Sequence, residues 1–166
     1  MFIRDEAPSD RAAIRSIIAA AFEGLSYSNQ REGDLVDALR NANALTLSLV
    51  AEDSGAIIGH IAVSPVTIEG ASLDWFGLGP LAVRPERQRK GVGAALVERA
   101  LSTLRAADAA GCVVFGAPSY YGRFGFRIDP GVRFEGGPPE HFMALALGST
   151  IPRGSVDYHP AFALVG

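Results

Sequence analysis

The sequence predicts a single α/β (α+β) domain built on a mixed sheet of six to seven strands. Three observations lead there. Apolar residues near the N-terminus recur at helical spacing. Three later segments alternate in polarity and are joined by tight turns, and a long amphipathic stretch then leads into a short, wholly apolar run. The two periods separate helix from strand, because side chains share a face about every 3.6 residues in one and at every second residue in the other. Tight turns join antiparallel neighbours, whereas a strand–helix–strand connection returns in parallel, so the sheet contains both.

Phe2-Ile3-Arg4 reads as a first strand, and Ser9 and Asp10 offer a cap to the helix that follows. Ile14, Ile17, Ile18, Ala21 and Phe22 form the apolar face of that helix. After the polar segment 24–30, a shorter helix is expected over about 32–40, with Leu35, Val36 and Leu39 inward. Leu45, Leu47, Leu49 and Ala51 alternate as a strand. Asp53-Ser54-Gly55 turns the chain into a second strand over 57–66, where alternation puts Ile58, His60, Ala62 and Ser64 on one face. Glu69-Gly70-Ala71 turns it again into a third, over 73–83, completing an antiparallel meander. The long helix is expected over about 91–110 and ended by Gly111. Cys112 to Phe115 then suits a central strand covered on both faces. Residues 130–139 read as a Gly/Pro-rich loop and Phe142 to Leu147 as a last strand, while the tail to Gly166 carries no readable pattern.

Composition sets the outer bounds. A chain of 166 residues, 48% apolar and 20% charged, fits one globular domain over 1–166. With 15 basic against 18 acidic residues the net charge is −3, which points to neither nucleic acid nor an anionic membrane as partner. The lone Cys112 has apolar neighbours and reads as a small buried hydrophobe, which makes a reducing compartment the default. The N-terminus lacks the apolar core of a signal peptide, so the expected location is cytoplasmic. His60, His141 and His159 form no metal-ligand spacing, and no metal is expected.

The chemistry concentrates where the third strand gives way to the long helix, in Leu81-Ala82-Val83-Arg84-Pro85-Glu86-Arg87-Gln88-Arg89-Lys90-Gly91-Val92-Gly93-Ala94. Amides at a helix N-terminus have no internal partner and form an anion site, and glycines admit a phosphate close to the main chain. A Walker A loop would need Lys and Ser/Thr after its second glycine, where Ala94 and Ala95 stand. A dinucleotide fingerprint would need a third small residue at Leu96. Gln88-x-x-Gly91-x-Gly93 after a Leu-x-Val strand remains, against the plainer alternative of a solvated basic turn capping a helix.

A second element follows at a fitting distance: Gly116-Ala117-Pro118-Ser119-Tyr120-Tyr121-Gly122-Arg123-Phe124-Gly125-Phe126. The two motifs in this order resemble the GNAT acetyltransferases, and the pattern around Glu32–Arg40, Gly59-His60, Ser64-Pro65 and Val156-x-Tyr158-His159 is similar to their YhbS-like branch. Ala117 departs from the acidic residue that relatives carry there. The resemblance implies a sheet whose fourth and fifth strands splay apart, with helices on both faces. Pro80 independently suits such a break, since proline cannot donate to a strand ladder.

The resemblance further implies acetyl-CoA as co-substrate and a primary amine, otherwise unidentified, as acceptor. Leu81, Ala82 and Val83 would bond the pantetheine arm, and the main chain of Gln88, Arg89, Lys90, Gly91, Val92, Gly93 and Ala94 would hold the diphosphate, with Arg87 adding charge nearby. Tyr121 would be the general acid that protonates the CoA thiolate. His60 is a candidate base, Glu32 a candidate base or acceptor-site residue. A non-catalytic acyl-CoA-binding module is the alternative function, and the chain is expected as monomer or homodimer.

Overall fold

A computed structural model describes residues 1–148 and 150–166. Its strands are β1 (Phe2–Asp5), β2 (Leu47–Asp53), β3 (Ala56–Ile68), β4 (Trp75–Val83), β5 (Gly111–Phe115), β6 (Val132–Arg133), β7 (Phe142–Ala146) and β8 (Gly154–Tyr158). The helices are α1 (Arg11–Phe22), α2 (Glu32–Asn41), α3 (Val92–Ala106) and the single-turn α4 (Pro118–Tyr121). The main sheet runs β1-β2-β3-β4-β5-β7. The first four strands are antiparallel neighbours, and β5 joins β4 in parallel after the α3 crossover.

The sheet forks between β4 and β5. Their pairing covers only Trp75–Gly77 against Gly111–Val113. Beyond it β4 keeps β3, with Leu81, Ala82 and Val83 opposite Ile61, His60 and Gly59, while β5 keeps β7 as far as Phe115 opposite Phe142. Pro80 lies in the stretch where the β3–β4 register shifts, between the Val63–Leu78 and Ile61–Leu81 pairs. The chain thus places its donor-less residue where no ladder bond is required.

Each face is held by an amphipathic helix. Leu96, Val97, Ala100, Leu101 and Leu104 of α3 pack on Leu49, Ile61, Val63, Cys112 and Val114. Ile14, Ile17 and Ile18 of α1, with Val36 of α2, pack on Val50, Ala62 and Ala82. Full burial of each such aliphatic side chain is worth about 1.5–3 kcal/mol, which fixes both helices to the sheet. The far end of the long β3, Val66–Ile68, pairs with β8, and Val156 of β8 joins Val66, Ile68, Trp75 and Val113 in a further core cluster.

Four expectations are corrected. Among the described residues the strands number eight, because β6 and β8 pair with each other within the loop and tail that carried no strand pattern. The long helix stops at Ala106, with Asp108 taking a left-handed φ of 59°. Gly111 does not cap it. It opens β5, where a Cβ would lie 2.3 Å from the Trp75 ring, and this contact is what demands glycine. Ile58 leaves the face of His60 and packs in the α3-side core, because a bulge opposite Ala51–Glu52 breaks the alternation.

Candidate active site

The head of α3 is built as an anion cradle. Gly91 (φ 86°) and Arg89 (φ 62°) are both left-handed, a turn that aims successive N–H groups inward. The first helical bond is Ala95 N–H to Gly91 O at 3.0 Å, so the amides of 89–94 have no backbone acceptor among the described residues. Gln88 Nε2 donates to Val83 O at 3.1 Å and ties this loop to the end of β4. Arg89 and Lys90 are exposed, whereas Val92 is buried and can contribute only its amide. Arg87 is engaged elsewhere, donating to Asp53 Oδ2 at 2.6 Å.

The two glycines of the loop serve different ends. At Gly91 a Cβ would meet nothing within 4 Å, and the positive φ is what favours glycine. At Gly93 a Cβ would lie 2.7 Å from the Tyr120 hydroxyl and 3.7–3.8 Å from Val83 Cγ2 and Leu81 Cδ2. Tyr120 therefore reaches across the fork from α4 to the head of α3, where it meets the β4 prong. Sequence reasoning missed this residue; the adjacent Tyr121 held the motif position, and no local pattern tells which of the two rings turns toward α3.

Tyr121 packs against Gly116, where a Cβ would sit 2.5 Å from its ring, and edge-on to Tyr120 and Phe126. Burial pushes its phenol up, with Tyr120, Tyr27 and Cys112 adding to the effect, so it carries its proton at neutral pH. Tyr27, in the segment between α1 and α2, and Tyr158 of β8 both lie within electrostatic reach of it. The ring of Tyr158 also fills the space over Gly77, the last β4 residue paired with β5.

His60 is fully buried opposite Val50 and Ala82, with Nε2 2.8 Å from Ser48 Oγ. Ser48 donates to Glu6, and Arg40 donates to both Glu6 oxygens at 2.8 and 2.9 Å. A carboxylate only accepts, so the Ser48 proton points to Glu6 and the His60 Nε2–H points to Ser48. The His60 Nδ1 is then a bare lone pair, without a partner among the described residues. Desolvation lowers the imidazole to about 4, opposed by the charge of Glu6 and reinforced by that of Arg40. Glu32 is elsewhere: at the first turn of α2, nearly buried, its oxygens 2.7 and 2.8 Å from Ser28 Oγ. His60 and Glu32 share no hydrogen bond with each other or with Tyr121.

Two hollows of about 340 and 550 Å³ share Thr46, Leu47 and Thr103, at the end of the sheet where α3 finishes, and neither borders the fork. Among the described residues no group of three His, Cys, Asp or Glu is placed to hold a metal, and no helix is long and apolar enough to cross a membrane.

A forked sheet beside a glycine-opened anion cradle defines a class, and comparison with known proteins agrees. Residues 3–128 match the acetyltransferase (GNAT) domain, and the chain belongs to that family. It is 39% identical over 129 residues to the uncharacterized N-acetyltransferase YhbS of Escherichia coli K12, covering 77% of this chain and 74% of that protein. Among solved structures it is similar to a GNAT family acetyltransferase from Brucella melitensis in complex with acetyl-CoA, at 50% identity, TM-score 0.88 and 97% coverage of both chains. It is also similar to E. coli YhbS in complex with CoA, at 34% identity and TM-score 0.90, covering 98% of this chain and 91% of that one.

Proposed function

We propose that this protein is an acetyl-CoA-dependent N-acetyltransferase that passes the acetyl group to a primary amine of a small molecule or peptide by direct attack in a ternary complex. The observation that carries this reading is the fork, which frees the Leu81–Val83 main chain beside the unpaired amides of 89–94. The complexes of the two solved relatives support the same ligand.

In this reading the diphosphate binds the amides of 89–94 and the pantetheine arm bonds to Leu81–Val83 as one more strand. The amine nitrogen attacks the thioester carbonyl; an N–C bond forms and the C–S bond breaks, the departing thiolate takes the proton of Tyr121, the proton lost by the amine leaves through water, and water returns a proton to the Tyr121 phenolate. An amide near Val83 stabilises the oxyanion. Of the two groups considered for the amine proton, His60 is enclosed and held by Ser48, which suits an orienting role in the Glu6–Ser48–His60 chain. Glu32 adjoins the segment that carries Tyr27, which supports the reading of Glu32 as an acceptor-side residue.

The competing reading, an acyl-CoA-binding module without turnover, draws on the enclosure of His60. Calorimetric titration with acetyl-CoA, alongside a Gly91→Glu/Gly93→Glu variant, tests the cofactor. Thiol release across an amine panel then separates the two readings. An enzyme loses about 10²- to 10⁴-fold in kcat on Tyr121→Phe while still binding acetyl-CoA. Absence of thiol release with every amine, despite binding, favours the module.

A further inference from the structure

The Tyr120 hydroxyl lies at the head of α3, 2.7 Å from where a Gly93 Cβ would stand, beside the first turn whose amides lack backbone acceptors among the described residues. It has no hydrogen-bond partner among the described residues. Its ring is fixed on three sides, edge-on to Tyr121 at 5.0 Å and to Phe124 at 5.6 Å, with the Arg123 guanidinium 4.6 Å from its centroid. Arg123 is itself held by Nε donating to the Tyr120 carbonyl at 3.1 Å. A phenol so placed is a neutral donor aimed into an anion cradle, with a cation stacked behind it.

We propose that Tyr120 donates a hydrogen bond to the diphosphate of the cofactor, and that Gly93 is glycine to make room for that hydroxyl. The inference rests on the cofactor reading above and assigns a binding role to a side chain outside the Gln-x-x-Gly-x-Gly loop. It also gives α4 a grip at two points of the ligand: Tyr120 at the diphosphate and its neighbour Tyr121 at the thioester.

The experiment is calorimetric titration of the intact protein and of Tyr120→Phe, Gly93→Ala and the double variant, with acetyl-CoA and with acetyl-pantetheine, which lacks the diphosphate. Losing one hydrogen bond to a charged group weakens acetyl-CoA by about 10- to 100-fold in Tyr120→Phe. Acetyl-pantetheine binding does not weaken further. Gly93→Ala displaces the hydroxyl and costs a similar factor, and the double variant binds acetyl-CoA no more weakly than Tyr120→Phe alone. Circular dichroism confirms that each variant is folded; alanine is the better helix former at this position. Unchanged acetyl-CoA affinity in Tyr120→Phe overturns the proposal. So does an equal loss for both ligands, which marks a packing role, or a double variant much weaker than either single, which makes Gly93 a direct phosphate contact. Failure of the unaltered protein to bind acetyl-CoA sinks the cofactor reading itself, and Tyr120 with it.

Discussion

Replacing His60 by Gln tests the buried polar chain through its pH dependence. The folded protein holds this imidazole at about 4, mainly by desolvation, while in the unfolded chain it titrates near 6.5. Above pH 6.5 both states are neutral and the group makes no difference. As pH falls below that value the unfolded chain takes a proton that the folded one refuses, so stability declines until both are protonated below about 4. The whole gap is worth ~3 kcal/mol, of which ~2 kcal/mol falls between pH 7 and pH 5. For a domain of this size that is a fall of about 4–8 °C in Tm. Glu6 and Asp10 are not confused with it. Burial raises the Glu6 carboxyl but Arg40 and Ser48 more than offset this, and Arg4 lowers Asp10, so both titrate below the window. Thermal unfolding followed by circular dichroism at the two pH values is the assay. His60→Gln has a lower Tm at pH 7 from lost packing, but the pH 7-to-5 difference collapses. An unaltered protein with equal Tm at both pH values, or a variant that keeps the full difference, refutes the reasoning.

Three further outcomes follow from contacts already described. Ser48→Ala strands the buried His60 Nε2–H and costs about 1–3 kcal/mol in urea unfolding; an unchanged midpoint would mean the chain is not formed. Gly111→Ala drives a methyl into the buried Trp75 ring and destabilises by about 1–3 kcal/mol, measured the same way, whereas a helix-capping role would leave a much smaller effect at this strand position. Arg87→Ala removes a half-exposed ion pair with Asp53 and leaves acetyl-CoA affinity within about twofold; a tenfold loss by calorimetry would put this guanidinium at the phosphates.

The parts legible in the sequence are those whose cause is local. The face Ile14–Ile17–Ile18, the meander turns and the glycine-opened head of α3 each declare themselves within a few residues, and the structure forms them where expected. What was misread depends on partners distant in sequence. Gly111 follows a helical pattern and looks like its cap, yet its reason is a tryptophan 36 positions earlier. Ile58 obeys alternation until the bulge opposite Ala51–Glu52, which only the pairing of two strands creates. β8 has no hydrophobic alternation of note, because its neighbours are the far end of β3 and a two-residue strand. Tyr120 and Tyr121 are equivalent as text. Only the packing of α4 on α3 turns one toward Gly93 and folds the other onto Gly116.

That division by distance also separates the two ends of the proposed reaction. The elements assigned to the cofactor, β4, the head of α3 and α4, all lie within residues 75–121 and inside the family match. The opposite side of the fork is closed by chain beyond residue 128. The Tyr158 ring covers Gly77, Phe162 packs on Leu35 and Leu39 of α2, and Asn29 Nδ2 reaches the Leu164 carbonyl at 2.8 Å, tying the α1–α2 segment to the tail. Under the N-acetyltransferase reading, a substitution in β8 or in 159–166 reshapes the acceptor side while the amides of 89–94 and the β4 main chain stay in place. On the proposed function, tail variants change which amine is used and its KM while acetyl-CoA affinity holds, because the fork physically parts the residues that meet each substrate.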